Sequence, residues 1–328
     1  MKLPQLRIGP YTPRYPVVQA GKAVRVSTAS LAGEVARCGG IGVIGATGME
    51  LDELRGEIQA ARKLAGKGIV GVNIMYAAAK FKELVHTALE EKIDIIFTGA
   101  GFSREIFKWA QGASTMIVPI VSSDRAARLS ERCGAPAVVA EGTEAGGHLG
   151  TDRSIKDILP EILRTVKIPV IAAGGMSNGY DMADIFRLGA HGVQLATRFV
   201  LSKECSVAEA FKQTMLQSQP EDITLIKSPV GLPGRAIRNA FVERLERNDP
   251  PKPQKCEKCL RECSHSFCIV EALKNAQKGD ITNGLVFSGQ NVSRIREILP
   301  VAAIMEQLIS QCSDALALPS VAGAASAL

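Results

Sequence analysis

Eight short apolar runs recur between residues 16 and 197, and a stretch with helical spacing follows each of them. They lie at residues 16–19, 41–44, 69–75, 93–98, 115–121, 135–140, 168–173 and 192–197. Each is apolar or β-branched nearly throughout instead of alternating, as strands buried on both faces of a parallel sheet should be. The helical segments are 29–38, 50–65, 80–91, 103–110, 124–133, 154–166, 178–188 and 203–217, several opening on a capping serine such as Ser103, Ser123 or Ser154. Eight β-α units joined by short links predict an α/β fold, a closed (β/α)8 TIM barrel spanning residues 1–217.

A barrel of this kind carries its chemistry at the C-terminal ends of its strands. Polar and glycine residues gather at those ends here. Strand one runs into Gln19-Ala20-Gly21-Lys22, strand three carries Asn73, and strand four ends Thr98-Gly99-Ala100-Gly101. Strand six runs into Glu141-Gly142-Thr143-Glu144-Ala145-Gly146-Gly147-His148, which places two carboxylates, a glycine pair and an imidazole in one loop. Glycines let backbone approach a ligand closely, and a histidine is a proton acceptor near neutral pH. The bland alternative for this loop is a tight turn with a hydrogen-bonded surface histidine. Strands seven and eight end in Gly174-Gly175 and in Gln194-Leu195-Ala196-Thr197, the composition of a phosphate cradle. A phosphate-bearing cofactor is implied.

One motif is a decoy. Gly40-Ile41-Gly42-Val43-Ile44-Gly45 has dinucleotide-fold spacing, but it follows a helical segment and is itself a strand, the reverse of the context such binding requires. His191 precedes strand eight, at the non-catalytic end, and reads as structural; His86 lies on a surface-type helix.

Beyond residue 217 the alternation stops. Residues 218–290 read as an inserted, mostly helical domain, with a helix over 235–247, a stiff Pro-rich linker at 248–253 and a helix at Ile269–Lys278. Residues 291–312 read as a closing helix and 313–328 as a flexible tail. Arg235, Arg238, Arg244 and Arg247 would form a solvated helix face, or a dock for an acidic carrier protein. Cys256, Cys259, Cys263 and Cys268 form a C-x2-C-x3-C-x4-C cluster, with His265 inside it. Such spacing suits zinc or an iron–sulfur cluster, against the alternative of packed thiols. The chain has eight cysteines and no export-type leader, pointing to a reducing cytoplasm. No apolar run reaches the roughly 20 residues of a membrane helix, and the net charge of +6 lacks the basic, aromatic-interleaved runs of a nucleic-acid binder.

With these motifs in place a resemblance emerges. Glu141-Gly-Thr-Glu-Ala-Gly-Gly-His148, Pro169-Val-Ile-Ala-Ala-Gly-Gly175 and Gly192-Val-Gln-Leu-Ala-Thr-Arg-Phe199 resemble the flavin-dependent nitronate monooxygenases (2-nitropropane dioxygenases). They equally resemble the flavin-dependent enoyl-acyl-carrier-protein reductases; Gly71-Val-Asn-Ile-Met75 and Gly234-Arg-Ala-Ile-Arg238 are closer to that branch. The resemblance implies an FMN-dependent oxidoreductase acting on a nitronate or similar small carbanion-like substrate. The alternative it implies is an NAD(P)H-dependent enoyl-thioester or quinone reductase, with acyl carrier protein as a partner. A barrel that keeps phosphate binding without catalysis is the remoter alternative, and a homodimer is the expected assembly. By position, Ala20, Gly21, Asn73, Glu141, Ala145, Gly146, Gly147, Gly174, Gly175, Gln194, Ala196 and Thr197 would surround FMN. His148 would be the proton-handling residue. Two departures stand out. Relatives carry Gly-Gly-Met or Ala-Pro-Met after strand one, whereas Ala20-Gly21-Lys22 adds a cation near the mouth. Nitronate enzymes carry a lysine at the end of strand five, whereas Pro119-Ile120-Val121-Ser122 has none.

Overall fold

The computed structural model describes residues 2–251 and 256–318. Its strands are β1 (Val17–Gln19), β2 (Ile41–Gly45), β3 (Ile69–Met75), β4 (Ile95–Gly99), β5 (Met116–Val121), β6 (Val138–Glu141), β7 (Gly147–His148), β8 (Val170–Ala173) and β9 (Gly192–Leu195). All but β7 form one closed parallel barrel in sequence order. The ring closes where β9 pairs with β1, Val17 opposite Val193 and Gln19 opposite Leu195. The expected TIM barrel is therefore the fold.

Helices α1 (Ala29–Arg37), α2 (Leu51–Ala65), α3 (Phe81–Glu90), α4 (Glu105–Trp109), α5 (Asp124–Arg132), α6 (Ile155–Thr165) and α7 (Gly179–Arg187) alternate with the strands. They cover the outer face with residues such as Leu54, Ile58 and Ile162, all fully buried. Each such side chain contributes roughly 1.5–3 kcal/mol of burial free energy. Ser123 caps α5 and Ser154 caps α6, whereas α4 starts after Arg104 and does not use Ser103 as its cap. Inside the barrel, Val43, Phe97, Val118, Val139 and Ile171 pack with Leu6 and Ile8 of the N-terminal segment. Leu6 lies against Gly192, so this segment plugs the end where the strands begin and leaves the other end open.

The glycines of the decoy motif have packing roles. A Cβ on Gly42 would lie 1.7 Å from the Ala32 carbonyl oxygen, and one on Gly45 would lie 2.1 Å from that of Lys22. They let α1 and the β1–α1 loop approach β2.

The C-terminal third departs from expectation. After α8 (Thr197–Val200) and α9 (Glu209–Gln217) come β10 (Ile223–Lys227) and β11 (Pro233–Ile237), then α10 (Ala240–Glu246), α11 (Ile269–Lys278) and α12 (Val301–Ala317). The insertion is thus not mostly helical: β10, β11 and β7 form a three-stranded sheet in the order β10-β11-β7. Residues 235–237, expected to begin a helix, are strand because β11 pairs on both sides, with Ile226 opposite Gly234 and His148 opposite Gly234. The arginines are correspondingly not one solvated helix face. Arg235 donates to the Thr143 carbonyl at 2.9 Å, and Arg238 pairs with Glu246 at 2.7 Å. The closing helix starts at Val301 rather than 291 and runs to Ala317, so residues 313–317 are ordered helix packed toward α7. Residues 319–328 of the expected tail, and 252–253 of the expected linker, lie outside the described residues. Among the described residues no helix is long and apolar enough to cross a membrane.

Candidate active site

The open end of the barrel holds a cavity of about 210 Å³. Every residue expected around the cofactor lines it. The end of β1 supplies Ala20 and Gly21, β3 supplies Asn73, and the β6 end with the loop after it supplies Glu141 and Ala145 to His148. Gly174 and Gly175 follow β8, and Gln194, Ala196 and Thr197 come from β9 and the start of α8. Gly174 and Gly175 have φ of 111° and 76°, a left-handed backbone that strains any residue with a side chain. The loop after β8 therefore bends with its main chain bare toward the cavity.

Asn73 is held by its Nδ2, which donates to the Gly21 carbonyl at 3.1 Å. Its Oδ1 is buried and has no hydrogen-bond partner among the described residues. A buried acceptor left unpaired costs about 1–3 kcal/mol, and Asn73 is the cavity-lining residue that carries one.

His148 sits on β7, with Nε2 at 2.8 Å from Ser228 Oγ and its ring edge-on to Phe287 at 5.2 Å. Burial pushes its pKa down to about 4, so the imidazole is neutral at pH 7. Glu141 is partly accessible and lines the cavity, and burial raises its carboxyl to about 7. Glu144 is committed elsewhere: its carboxylate accepts from Ser154 Oγ at 2.5 Å and the Ile155 N–H at 3.0 Å, anchoring the start of α6.

Sequence reasoning missed a strap across the mouth. Phe287 accepts from Lys22 Nζ at 2.6 Å, and Gly289 donates to Thr197 Oγ1 at 3.0 Å. Gln290 donates to the Glu144 carbonyl at 3.0 Å, and Asn291 Nδ2 donates to the Gly175 carbonyl at 2.6 Å. These few residues thus tie together the ends of β1, β6, β8 and β9. No local motif announces them; only the polar run Ser288-Gly289-Gln290-Asn291 after an apolar one was a signal. Ser228, the partner of His148, lies 80 residues along the chain in the turn between β10 and β11, with no local signal linking the two.

Among the described residues no three His, Cys, Asp or Glu side chains stand close enough to hold a metal ion, so the zinc or iron–sulfur site expected at Cys256, Cys259, Cys263 and Cys268, with His265 beside them, is unsupported. The segment instead docks on the β3–α3 loop. Ala79 donates to the Cys259 carbonyl at 3.0 Å, Arg261 donates to the Ala77 carbonyl at 2.9 Å, and the Arg261 guanidinium lies 4.4 Å over Tyr76. Cys256 is exposed, Cys263 Sγ accepts the His265 N–H at 3.4 Å, and burial raises the Cys259 thiol to about 11. His191 is structural as read, its Nδ1 accepting the Val170 N–H at 3.2 Å.

The shifts at Glu141 and His148 have opposite consequences for stability. The raised Glu141 holds its proton when folded but loses it near 4.5 when unfolded, so its contribution falls as pH rises from about 4.5 to about 7. His148 loses its proton near 4 when folded but near 6.5 when unfolded, so its contribution rises over an overlapping window. In cofactor-free protein the two should largely offset. Glu141→Gln should expose the His148 limb as a rise of up to about 1.4 kcal/mol per pH unit. Denaturant titrations from pH 4 to 7 check this; parallel curves for wild type and variant would refute it.

A barrel whose open end joins a bare-backbone cradle, a buried unpaired acceptor, an imidazole and a raised carboxyl defines a cofactor-dependent barrel enzyme. A family model described as nitronate monooxygenase matches residues 8–91 and 70–311. The chain belongs to the nitronate monooxygenase family and is a flavin-dependent oxidoreductase. It is 27% identical over 345 residues to a probable nitronate monooxygenase of Staphylococcus aureus, covering 92% of this chain and 95% of that one. It is 32% identical over 235 residues to an octahydro-indene-carboxyl-CoA dehydrogenase of Mycobacterium tuberculosis, covering 71% of this chain and 65%, just under two thirds, of that relative. The solved structure of FabK from Thermotoga maritima superposes with a TM-score of 0.84 at 33% identity, covering 93% of this chain and 94% of that one.

Proposed function

We propose that the cavity binds FMN and that the enzyme oxidises a nitronate or similar small carbanion-like substrate there. The observation that carries this reading is the orphaned Asn73 Oδ1, aligned by its partner Gly21 on a wall that also presents the Gly174–Gly175 cradle. A flavin ring edge carries an N–H that such an acceptor suits, and one phosphate suits the amides around Gly174, Gly175, Ala196 and Thr197. Bound flavin supplies the redox chemistry. The protein's own groups do the rest: Gln194 offers an amide to the ring edge, the strap of residues 287–291 covers the mouth, and His148 positions the nitronate or takes the α-proton of a neutral nitroalkane. Mass spectrometry of the released cofactor should find FMN; finding FAD refutes the assignment.

The full-length likeness to FabK supports a second reading, NAD(P)H-dependent reduction of an enoyl thioester or quinone. Anaerobic mixing separates the two. Flavin bleached by a nitronate supports the first reading, and bleaching by NADH or NADPH alone supports the second.

A further inference from the structure

Among the described residues that line the cavity, Lys22 is the only lysine or arginine. It is surrounded by protein, and its Nζ makes a single hydrogen bond, to the Phe287 carbonyl at 2.6 Å. No carboxylate among the described residues lies within ion-pair distance of it. The Cys205 thiol would favour the ammonium if ionised, but burial raises it and so keeps it uncharged at neutral pH. An ammonium has three donors, so two are left for something in the cavity. Burial lowers its pKa to about 8, which still leaves most of it charged at pH 7. Holding a buried cation without a counter-charge is costly.

The backbone that presents it is also held against strain. Val24 and Arg25, just after Lys22, have φ of 55° and 59°, unfavourable for any non-glycine residue and most for β-branched valine. The loop is pinned regardless. Lys22 N–H donates to Ser27 Oγ at 3.0 Å, Ser27 N–H donates to the Lys22 carbonyl at 3.0 Å, and Arg25 makes two bonds to Glu53 at 2.6 and 2.7 Å. Phe287, whose carbonyl orients the ammonium, also packs against His148. The cation and the proton-handling imidazole thus flank one residue of the strap.

We propose that Lys22 is a specificity-determining residue whose ammonium receives the anionic oxygen of the substrate, so that the enzyme selects small planar oxyanions over neutral relatives. The inference rests on the proposed function and adds the residue that receives the substrate's anionic oxygen.

Calorimetric titration of the purified holoenzyme with sodium nitrate, a planar oxyanion that does not react, tests it. Wild type should bind nitrate, Lys22→Met should bind it at least about 10-fold more weakly, and Lys22→Arg should stay within a few-fold, as expected for one charge-assisted hydrogen bond. The KM for a nitronate should rise in Lys22→Met by more than kcat falls. Thermal melts confirm that both variants fold. Equal nitrate affinity in Lys22→Met, or no nitrate binding by wild type, overturns the proposal. So does a loss of flavin affinity with nitrate affinity intact, which would assign the ammonium to the cofactor. If nitrate binds in a Lys22-dependent way but no nitronate is oxidised, the proposed function fails and the Lys22 assignment stands. Nitronate turnover with an unchanged KM in Lys22→Met gives the converse.

Discussion

Replacing His148 with asparagine should lower turnover of a neutral nitroalkane, whose α-proton must be removed, about 10²–10⁴-fold, the usual worth of a positioned acid or base, while the flavin stays bound. The imidazole is neutral at pH 7 and oriented by Ser228 at 2.8 Å, so it can accept a proton without first losing one. Asparagine keeps the polarity and approximate reach but cannot take up the proton. Cofactor retention follows because the cradle is main chain from the ends of β8 and β9, which the substitution does not touch. The measurement is turnover per bound flavin. Glu141, raised to about 7, is the competing proton acceptor. If Glu141→Gln abolishes turnover and His148→Asn leaves it intact, the proton belongs to the carboxyl, and His148 is only a partner for Ser228.

Gly146→Ala should cost about 1–3 kcal/mol of stability, the usual range for overpacking, and weaken flavin binding at least about 10-fold. The added Cβ would lie 2.4 Å from the Ser288 carbonyl carbon and 2.6 Å from the Gly289 nitrogen. Both are backbone atoms, so no side chain can swing aside. Relief requires moving the strap, which would disturb the bonds of Gly289 to Thr197 and of Asn291 to Gly175 beside the cradle. Thermal melts and flavin titrations read both effects. Wild-type values in both would show that the strap is not coupled to the cofactor.

The parts of this protein written locally in the chain were legible. Doubly buried strands need unbroken apolar runs, and the eight barrel strands could be found by that pattern alone to within a few residues. Because a parallel barrel presents the C-terminal ends of its strands on one face, the order of strands also places Asn73, Glu141, Gly174 and Thr197 together. Where local pattern and pairing disagree, the sequence misled. The stretch Arg235-Ala236-Ile237 carries a charge spacing that reads as helix, but it is strand because β10 and β7 lie on either side of it. The cysteine spacing matched a ligand set, yet ligand sets need convergence in space, and these backbone segments are spent on docking against Tyr76 and Ala79.

The strap, the Ser228 contact with His148 and the pKa values of Glu141, His148 and Lys22 all come from segments far apart in the chain. Burial is a property of the packed molecule, so the same carboxyl, imidazole and amine could not be assigned shifted values from the chain alone. The order of residues determined a flavin-type barrel and most of the wall of its cavity. Long-range packing determined which wall groups are neutral, which are charged and what lies across them, because desolvation and hydrogen bonding depend on neighbours that only folding supplies.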